Sequence, residues 1–225
     1  MTPWVLIDSA PIAGGDKKLN LFKRDSDFSM KVGNLELMNS RMHGSEESLA
    51  QLACAKIKKF EDPKVLIGGL GMGFTLRAAL DVLPQKSQVI VAELLPEVVK
   101  WNQGVLAGLA RNPLKDKRVR VETADVGLKI REGRGVYSAI LLDVDNGPES
   151  LFRRDNDRLY DKEGIRAAHA ALKSRGVLAV WSASPDKSFV KGLNAAGFSV
   201  EELNVSARSG AKSGGRHFIW LATAR

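Results

Sequence analysis

Two carboxylates stand two residues apart at the end of an apolar run, as Asp143 and Asp145 in the stretch 142–148. An ammonium group is a poor nucleophile because a proton occupies its lone pair. An enzyme that alkylates an amine therefore needs an acid that orients the amine and assists proton loss. Asp143 is predicted for that role, with Asp145 as its partner. Both could instead be turn formers ahead of Asn146, Gly147 and Pro148.

Three alternating glycines, Gly69, Gly71 and Gly73, separate the apolar run 64–68 from a helix-like run at 74–82. Glycine lets the backbone come close to a ligand, and the following helix points its N-terminal N–H groups at that ligand. The run 88–93 then ends in Glu93, about 20 residues on, where a doubly wound fold places the acceptor for ribose hydroxyls. These features predict a nucleoside site. The alternatives are glycines for tight packing and a helix N-terminal charge at Glu93.

A third acid, Asp125, follows the apolar run 118–123 and could accept a hydrogen bond from the exocyclic amine of an adenine. It could equally cap the next helix, since Asp is a preferred N-cap residue. Trp181 ends a further run at 177–181 and is as compatible with the core as with a pocket wall. In a parallel sheet all of these positions fall at the carboxyl edge, where ligands of open α/β sheets bind.

The elements that must position these residues alternate between strand and helix, which predicts an α/β, Rossmann-like sheet of seven strands. The last strand is expected to be antiparallel, because a polar stretch and no crossover helix precedes it. Short alternating runs before residue 45 predict a small antiparallel β extension that packs on the main sheet or on a second subunit. The predicted division is a β meander at 1–44 and the main domain at 45–225. Ser45 is a candidate N-cap for the first helix, and Pro185 suits the first turn of a later one.

Composition excludes several classes of protein. The chain has 225 residues and one cysteine, so an intramolecular disulfide is excluded, and its three histidines lack ligand spacing, so no metal is expected. No apolar run reaches the roughly 20 residues that cross a bilayer, which predicts a soluble, cytoplasmic protein without a membrane partner. The net charge of +8 is spread along the chain. The basic stretch 206–217 is expected to be a solvated hairpin loop, with nucleic-acid binding the less favoured alternative.

With these residues in view, the chain resembles the spermidine synthase (polyamine aminopropyltransferase) family, which has the class I S-adenosylmethionine-dependent methyltransferase fold. The resemblance extends over nearly the whole chain, including the stretches 45–50, 65–77, 91–99 and 142–148 and the segment with Leu159 and Tyr160. It implies decarboxylated S-adenosylmethionine or S-adenosylmethionine as co-substrate, a small-molecule amine acceptor and a homodimer. It also implies that Glu93 holds the ribose, Asp125 the adenine and Asp143 the amine, with Asp145, Trp181 and Tyr160 around the acceptor.

The chain also departs from the family pattern. The glycine loop has Leu70 and Met72 where the family has an Asp, and Ile67 replaces an acid that many methyltransferases carry before their glycines. The segment that lines the family's amine pocket aligns roughly with 49–51, which has no ionisable group. These departures leave open a methyltransferase with another acceptor and a nucleoside-binding protein without catalysis.

Overall fold

The protein is described by a computed structural model that covers residues 2–12, 16–144, 158–208 and 215–225. Asp145 lies outside the described residues. The described chain forms two sheets, a four-stranded antiparallel sheet and a seven-stranded mixed sheet. The α/β class, the seven-stranded sheet and the N-terminal antiparallel extension predicted from the sequence are confirmed.

The small sheet consists of β1 (Val5–Pro11), β2 (Lys18–Arg24), β3 (Asp27–Val32) and β4 (Leu35–Asn39), paired in chain order. The main sheet consists of β5 (Lys64–Gly68), β6 (Gln88–Glu93), β7 (Val119–Thr123), β8 (Tyr137–Leu142), β9 (Leu172–Ser182), β10 (Phe198–Ser206) and β11 (Arg216–Ala224). Its order is β10-β11-β9-β8-β5-β6-β7. Strands β5 to β9 pair in parallel, and β11 is antiparallel to both of its neighbours, as expected.

Helices cover both faces of the main sheet. They are α1 (Gly44–Lys56), α2 (Phe74–Val82), α3 (Pro96–Gln103), α4 (Val126–Glu132), α5 (Lys162–Ala171) and α6 (Lys187–Ala195). Successive strand residues point to opposite faces. Val65 and Ile67 of β5 therefore join one apolar core with α1 to α3, while Leu66 joins a second core with α4 to α6. No helix among the described residues is long and apolar enough to cross a membrane.

The small sheet is joined to the main domain by specific contacts. The indole N–H of Trp101 on α3 donates to Asp8 Oδ2 on β1 at 2.8 Å. Buried residues of the small sheet, such as Leu21 and Met30, belong to the same apolar core as α1 to α3. The extension thus packs on the main domain, and it forms one wall of the crevice described below.

Two expectations about helix starts are wrong. Helix α1 takes His43 as its N-cap without a side-chain bond, and Ser45 lies inside the first turn. Helix α6 begins after Asp186, whose carboxylate accepts from Ser188 N and Phe189 N, so Pro185 precedes the cap. An Asp side chain satisfies two orphan N–H groups at a helix start, which outweighs the proline's preset φ.

Candidate functional site

A crevice lies at the carboxyl ends of β5, β6, β7 and β8, and the small sheet forms its opposite wall. Its described lining residues include four carboxylates and Trp181, and none of the described residues that line it is Lys, Arg or His. The four carboxylates are Glu46, Glu93, Asp125 and Asp143. The wall from the small sheet is apolar and comprises Leu19, Met30, Val32, Leu37 and Met38.

Two glycines of the loop between β5 and α2 are closely packed. Gly69 has φ +86°, and a Cβ there would lie 2.5 Å from the backbone oxygen of Asp143. Gly71 has φ +50°, and its Cβ would approach Met38 Sδ to 3.0 Å. Both line the crevice, whereas Gly73 is the N-cap of α2 and is not among the lining residues. Close approach to other parts of the chain therefore explains these glycines alongside any approach to a ligand.

Glu93 sits at the end of β6 with its carboxylate fixed by the backbone. Its Oε2 accepts from the N–H of Leu70 at 2.9 Å, and its Oε1 accepts from the N–H of Leu95 at 2.8 Å. The residue is 8% exposed and lines the crevice beside Gly69. A carboxylate is an acceptor-only group, the kind that the vicinal hydroxyls of a ribose need.

Asp125 follows β7 and serves as the N-cap of α4. Its Oδ1 accepts from the N–H of Gly127 at 2.6 Å. The residue also lines the crevice, about one strand away from Glu93. The capping role and the ligand-binding role proposed from the sequence are therefore compatible, since capping occupies one oxygen.

Asp143 follows β8 and accepts a 2.5 Å hydrogen bond at Oδ2 from the hydroxyl of Thr75 in the first turn of α2. Burial raises the pKa of Asp143 to about 6, and the Thr75 hydrogen bond opposes that rise. A carboxyl group with this pKa can accept or release a proton near neutral pH. Sequence reasoning did not identify Thr75, because only the packing of α2 beside β8 brings it there.

Glu46 is a crevice residue that sequence reasoning missed. It lies in the first turn of α1, is 8% exposed, and accepts a hydrogen bond at Oε2 from Ser45 Oγ at 2.6 Å. Burial, and secondarily repulsion from the Asp143 carboxylate, raises the pKa of Glu46 to about 7. A signal was present in the sequence, because Glu46 continues the apolar stripe of Leu49, Ala50 and Ala53 at helical spacing. An acid on a buried helix face needs an explanation.

Trp181 lines the crevice at the end of β9, and its ring makes an edge contact with His217 at 4.7 Å between centroids. Tyr160, predicted for the acceptor pocket, is not among the described residues that line the crevice. Its ring packs edge-on against Phe189 in the core beneath α5 and α6. Tyr160 lies two residues before α5, which covers the other face of the sheet.

The apolar side chains in and just before the glycine loop are buried in the core. Leu70 is 4% exposed, Met72 is fully buried, and Ile67 is fully buried in β5. These side chains strengthen the packing beneath the crevice. They also mean that the loop offers a ligand its backbone and no carboxylate.

Comparison with known proteins gives a likeness of fold. No family model matches the chain, and no curated protein sequence matches it. A spermidine synthase in complex with the transition-state analogue AdoDATO superposes with a TM-score of 0.76 at 18% identity, over 98% of this chain and 72% of that chain. The spermidine synthase of Thermotoga maritima gives a TM-score of 0.77 at 18% identity, over 98% of this chain and 73% of that chain.

A methyltransferase is also similar, over a smaller part of the chain. The precorrin-6y C5,15-methyltransferase of Geobacter metallireducens gives a TM-score of 0.53 at 18% identity, over 76% of this chain and 86% of that chain. The near-complete coverage by the spermidine synthases includes the small sheet. The chain therefore has a spermidine synthase-like fold built on the class I methyltransferase sheet.

Proposed function

We propose that the protein is a transferase that binds decarboxylated S-adenosylmethionine and moves its aminopropyl group to an amine. One observation carries the proposal, namely four carboxylates and no basic side chain among the described residues that line the crevice. The decarboxylated donor is a dication, with a sulfonium and an ammonium group, and the acceptor amine is also a cation. Buried cations need acceptors, and carboxylates are the strongest that proteins offer.

The charge pattern also distinguishes between the two donors considered from the sequence. S-adenosylmethionine itself carries a carboxylate, which would lie among carboxylates in this crevice unless backbone N–H groups received it. Like charges in a low-dielectric site repel by several kcal/mol or more. The decarboxylated donor avoids that repulsion.

Each carboxylate has a role in this proposal. Glu93 accepts the ribose hydroxyls, and Asp125 accepts from the adenine amine. Asp143 orients the acceptor amine and takes its proton, with Glu46 as a second acceptor for the cationic groups. Sulfonium is already an activated leaving group, so positioning and exclusion of water supply most of the catalysis. Asp145 keeps its predicted part as partner of Asp143.

The nucleoside site can be tested by ligand-induced stabilisation. Methylthioadenosine, the expected product, should raise the melting temperature of the wild-type protein, and Glu93→Ala should abolish that rise. Glu97→Ala provides a matched control, because Glu97 lies four residues on in α3 and outside the crevice lining. Equal stabilisation of wild type and Glu93→Ala would contradict the assignment of the ribose site.

The reaction can be tested by product analysis. Incubation with the decarboxylated donor and a diamine such as putrescine should release methylthioadenosine, and Asp143→Asn should reduce the rate about 100-fold or more, within the usual range for loss of an acid–base group. Release of adenosylhomocysteine from S-adenosylmethionine would support the second candidate, a methyltransferase. The buried Leu70 and Met72, which leave the loop without an acid, favour that candidate.

Three further predictions from the sequence concern assembly, location and nucleic-acid binding. A homodimer is supported by β1, an edge strand of the small sheet on which Val5, Leu6 and Ile7 are 55%, 52% and 42% exposed. Measurement of the mass in solution tests it. A cytoplasmic location and the weaker alternative of nucleic-acid binding stay predictions.

A further inference from the structure

A chain of hydrogen bonds connects the crevice to β11 through a fully buried serine. Ser45 Oγ donates to Glu46 Oε2 at 2.6 Å, and His217 Nδ1 lies 2.9 Å from the same Ser45 Oγ. Ser45 is 0% exposed, Glu46 lines the crevice and His217 is half-buried. Three polar groups from two elements thus form a continuous path from the crevice to a partly exposed imidazole.

The donors and acceptors along this path have a definite order. A serine hydroxyl has one proton to donate and two lone pairs to accept with. Since Ser45 donates to Glu46, it accepts from His217, which must then carry its proton on Nδ1. When Glu46 takes up a proton, the imidazole changes from the Nδ1–H to the Nε2–H tautomer and every hydrogen bond in the path reverses. Glu46 then gives a proton to Ser45 Oγ, Ser45 gives its own proton to His217 Nδ1, and the Nε2 proton leaves, which restores the starting arrangement.

The proposed transfer generates one proton that has to leave. The acceptor nitrogen begins as an ammonium and loses a proton before it attacks the carbon next to the sulfonium. A nitrogen–carbon bond forms, the carbon–sulfur bond breaks, and its electron pair returns to sulfur as a neutral thioether. Four positive charges, two on the donor and two on a diamine, become three on the product and one free proton.

We infer that Glu46, Ser45 and His217 form a proton relay that takes this proton from Asp143, which lines the same crevice as Glu46, and carries it out of the crevice. The inference rests on the proposed function, since it needs a reaction that releases a proton there. In this relay His217 and Ser45 act through Glu46 and do not touch the substrate. The path replaces exit through the crevice mouth, which the bound substrates would fill.

The surroundings of His217 suit a group that passes a proton without holding it. Burial lowers the pKa of His217, which favours the neutral imidazole over the imidazolium. The ring of Trp181 on β9 contacts the imidazole of His217, and Val205 on β10 is the residue paired with His217. The adjacent Arg216 on β11 donates to Asn204, and Ser45 on α1 contacts the imidazole and donates to Glu46.

The relay can be tested first without turnover, by nitrogen NMR of protein labelled at its three histidines. The relay predicts the Nδ1–H tautomer for His217 in the wild type. It also predicts that Ser45→Ala abolishes the preference and that Glu46→Gln changes the pKa of His217. His169→Gln is the matched control, because His169 also packs edge-on against an aromatic ring, Phe198, but in the core on the other face. A wild-type Nε2–H tautomer that ignores Ser45→Ala would overturn the relay.

The second test measures transfer under saturating substrates. Ser45→Ala and His217→Gln should each lower kcat roughly 10-fold, less than loss of a direct acid–base group, with the KM for the amine changed less than about twofold. Added imidazole buffer should restore much of the rate, which a purely structural defect would not allow. An unchanged kcat, or a lowered kcat that imidazole does not restore, would refute the relay and leave the proposed function standing. A third outcome is that the wild type transfers no aminopropyl group although the His217 tautomer depends on Ser45 as predicted. In that case the proposed function fails, and the relay has no reaction to serve.

Discussion

Replacement of Glu46 by Gln should make the protein more stable at alkaline pH and flatten its dependence of stability on pH. Glu46 is almost fully buried, and its carboxylate is repelled by that of Asp143, which lines the same crevice. Gln has nearly the same shape, and its amide oxygen can accept the hydrogen bond that Ser45 Oγ now donates to the carboxylate. The substitution therefore removes a buried charge while keeping its contacts.

The size of the effect follows from the pKa. Burial and the Asp143 carboxylate raise the pKa of Glu46 from 4.5 to about 7. Between these values the folded state binds more protons than the unfolded state, so the free energy of unfolding falls as pH rises. One pKa unit corresponds to about 1.4 kcal/mol, and the span from 4.5 to about 7 gives a loss of about 3 kcal/mol above pH 7. Below pH 4.5 Glu46 is protonated in the folded and the unfolded state, so this destabilisation vanishes.

Denaturant unfolding of wild type and Glu46→Gln at pH 5 and pH 8 measures the effect. The difference between the two proteins should grow by about 2 to 3 kcal/mol from pH 5 to pH 8, in favour of the variant. Glu61→Gln is the matched control, because that side chain is exposed and is not among the crevice-lining residues. Any change in this variant measures the effect of removing a surface carboxylate. Parallel curves for wild type and Glu46→Gln would refute the reasoning.

Three other predictions concern the crevice and its walls. Gly69→Ala should destabilise the fold by more than about 2 kcal/mol, because its Cβ would meet the Asp143 backbone oxygen at 2.5 Å with φ at +86°; a melting temperature like the wild type's would contradict this. Thr75→Val removes the hydrogen bond that lowers the pKa of Asp143, so the acid limb of a pH–rate profile should move about one unit upward; an unmoved limb would argue against Asp143 as the proton acceptor. Trp101→Phe should cost about 1 kcal/mol and loosen the small sheet, as hydrogen exchange of β1 would report, because it leaves Asp8 without the indole donor.

Much of the fold could be predicted from the chain because strand and helix patterns are local properties of the sequence. Alternation of apolar strands with helices identifies a parallel sheet, and ligands bind at the carboxyl edge of such sheets. Glu93 and Asp125 lie at strand ends, so their positions in the crevice followed from chain order alone. The antiparallel last strand followed in the same way from the missing crossover helix.

The composition of the crevice depended on packing between distant segments. Thr75 meets Asp143 only because α2 packs beside β8, and Tyr160 lies with Phe189 because the helix after it covers the opposite face. The residues 49–51 suggested a pocket wall without acids, whereas the first turn of α1 contributes Glu46 to it. The start of α1 at Gly44 decides that difference, because it places Glu46 in the first helical turn.

The amino-acid sequence by itself determined the order of the elements, the edge where a ligand could bind, and the acids that end its strands. Only the tertiary structure decided which helix turn and which strand complete the site, bringing Glu46, Ser45 and His217 into one hydrogen-bonded path. The physical reason is that residue spacing reports which face of an element is buried, while the surface that buries it is fixed by contacts across the whole chain.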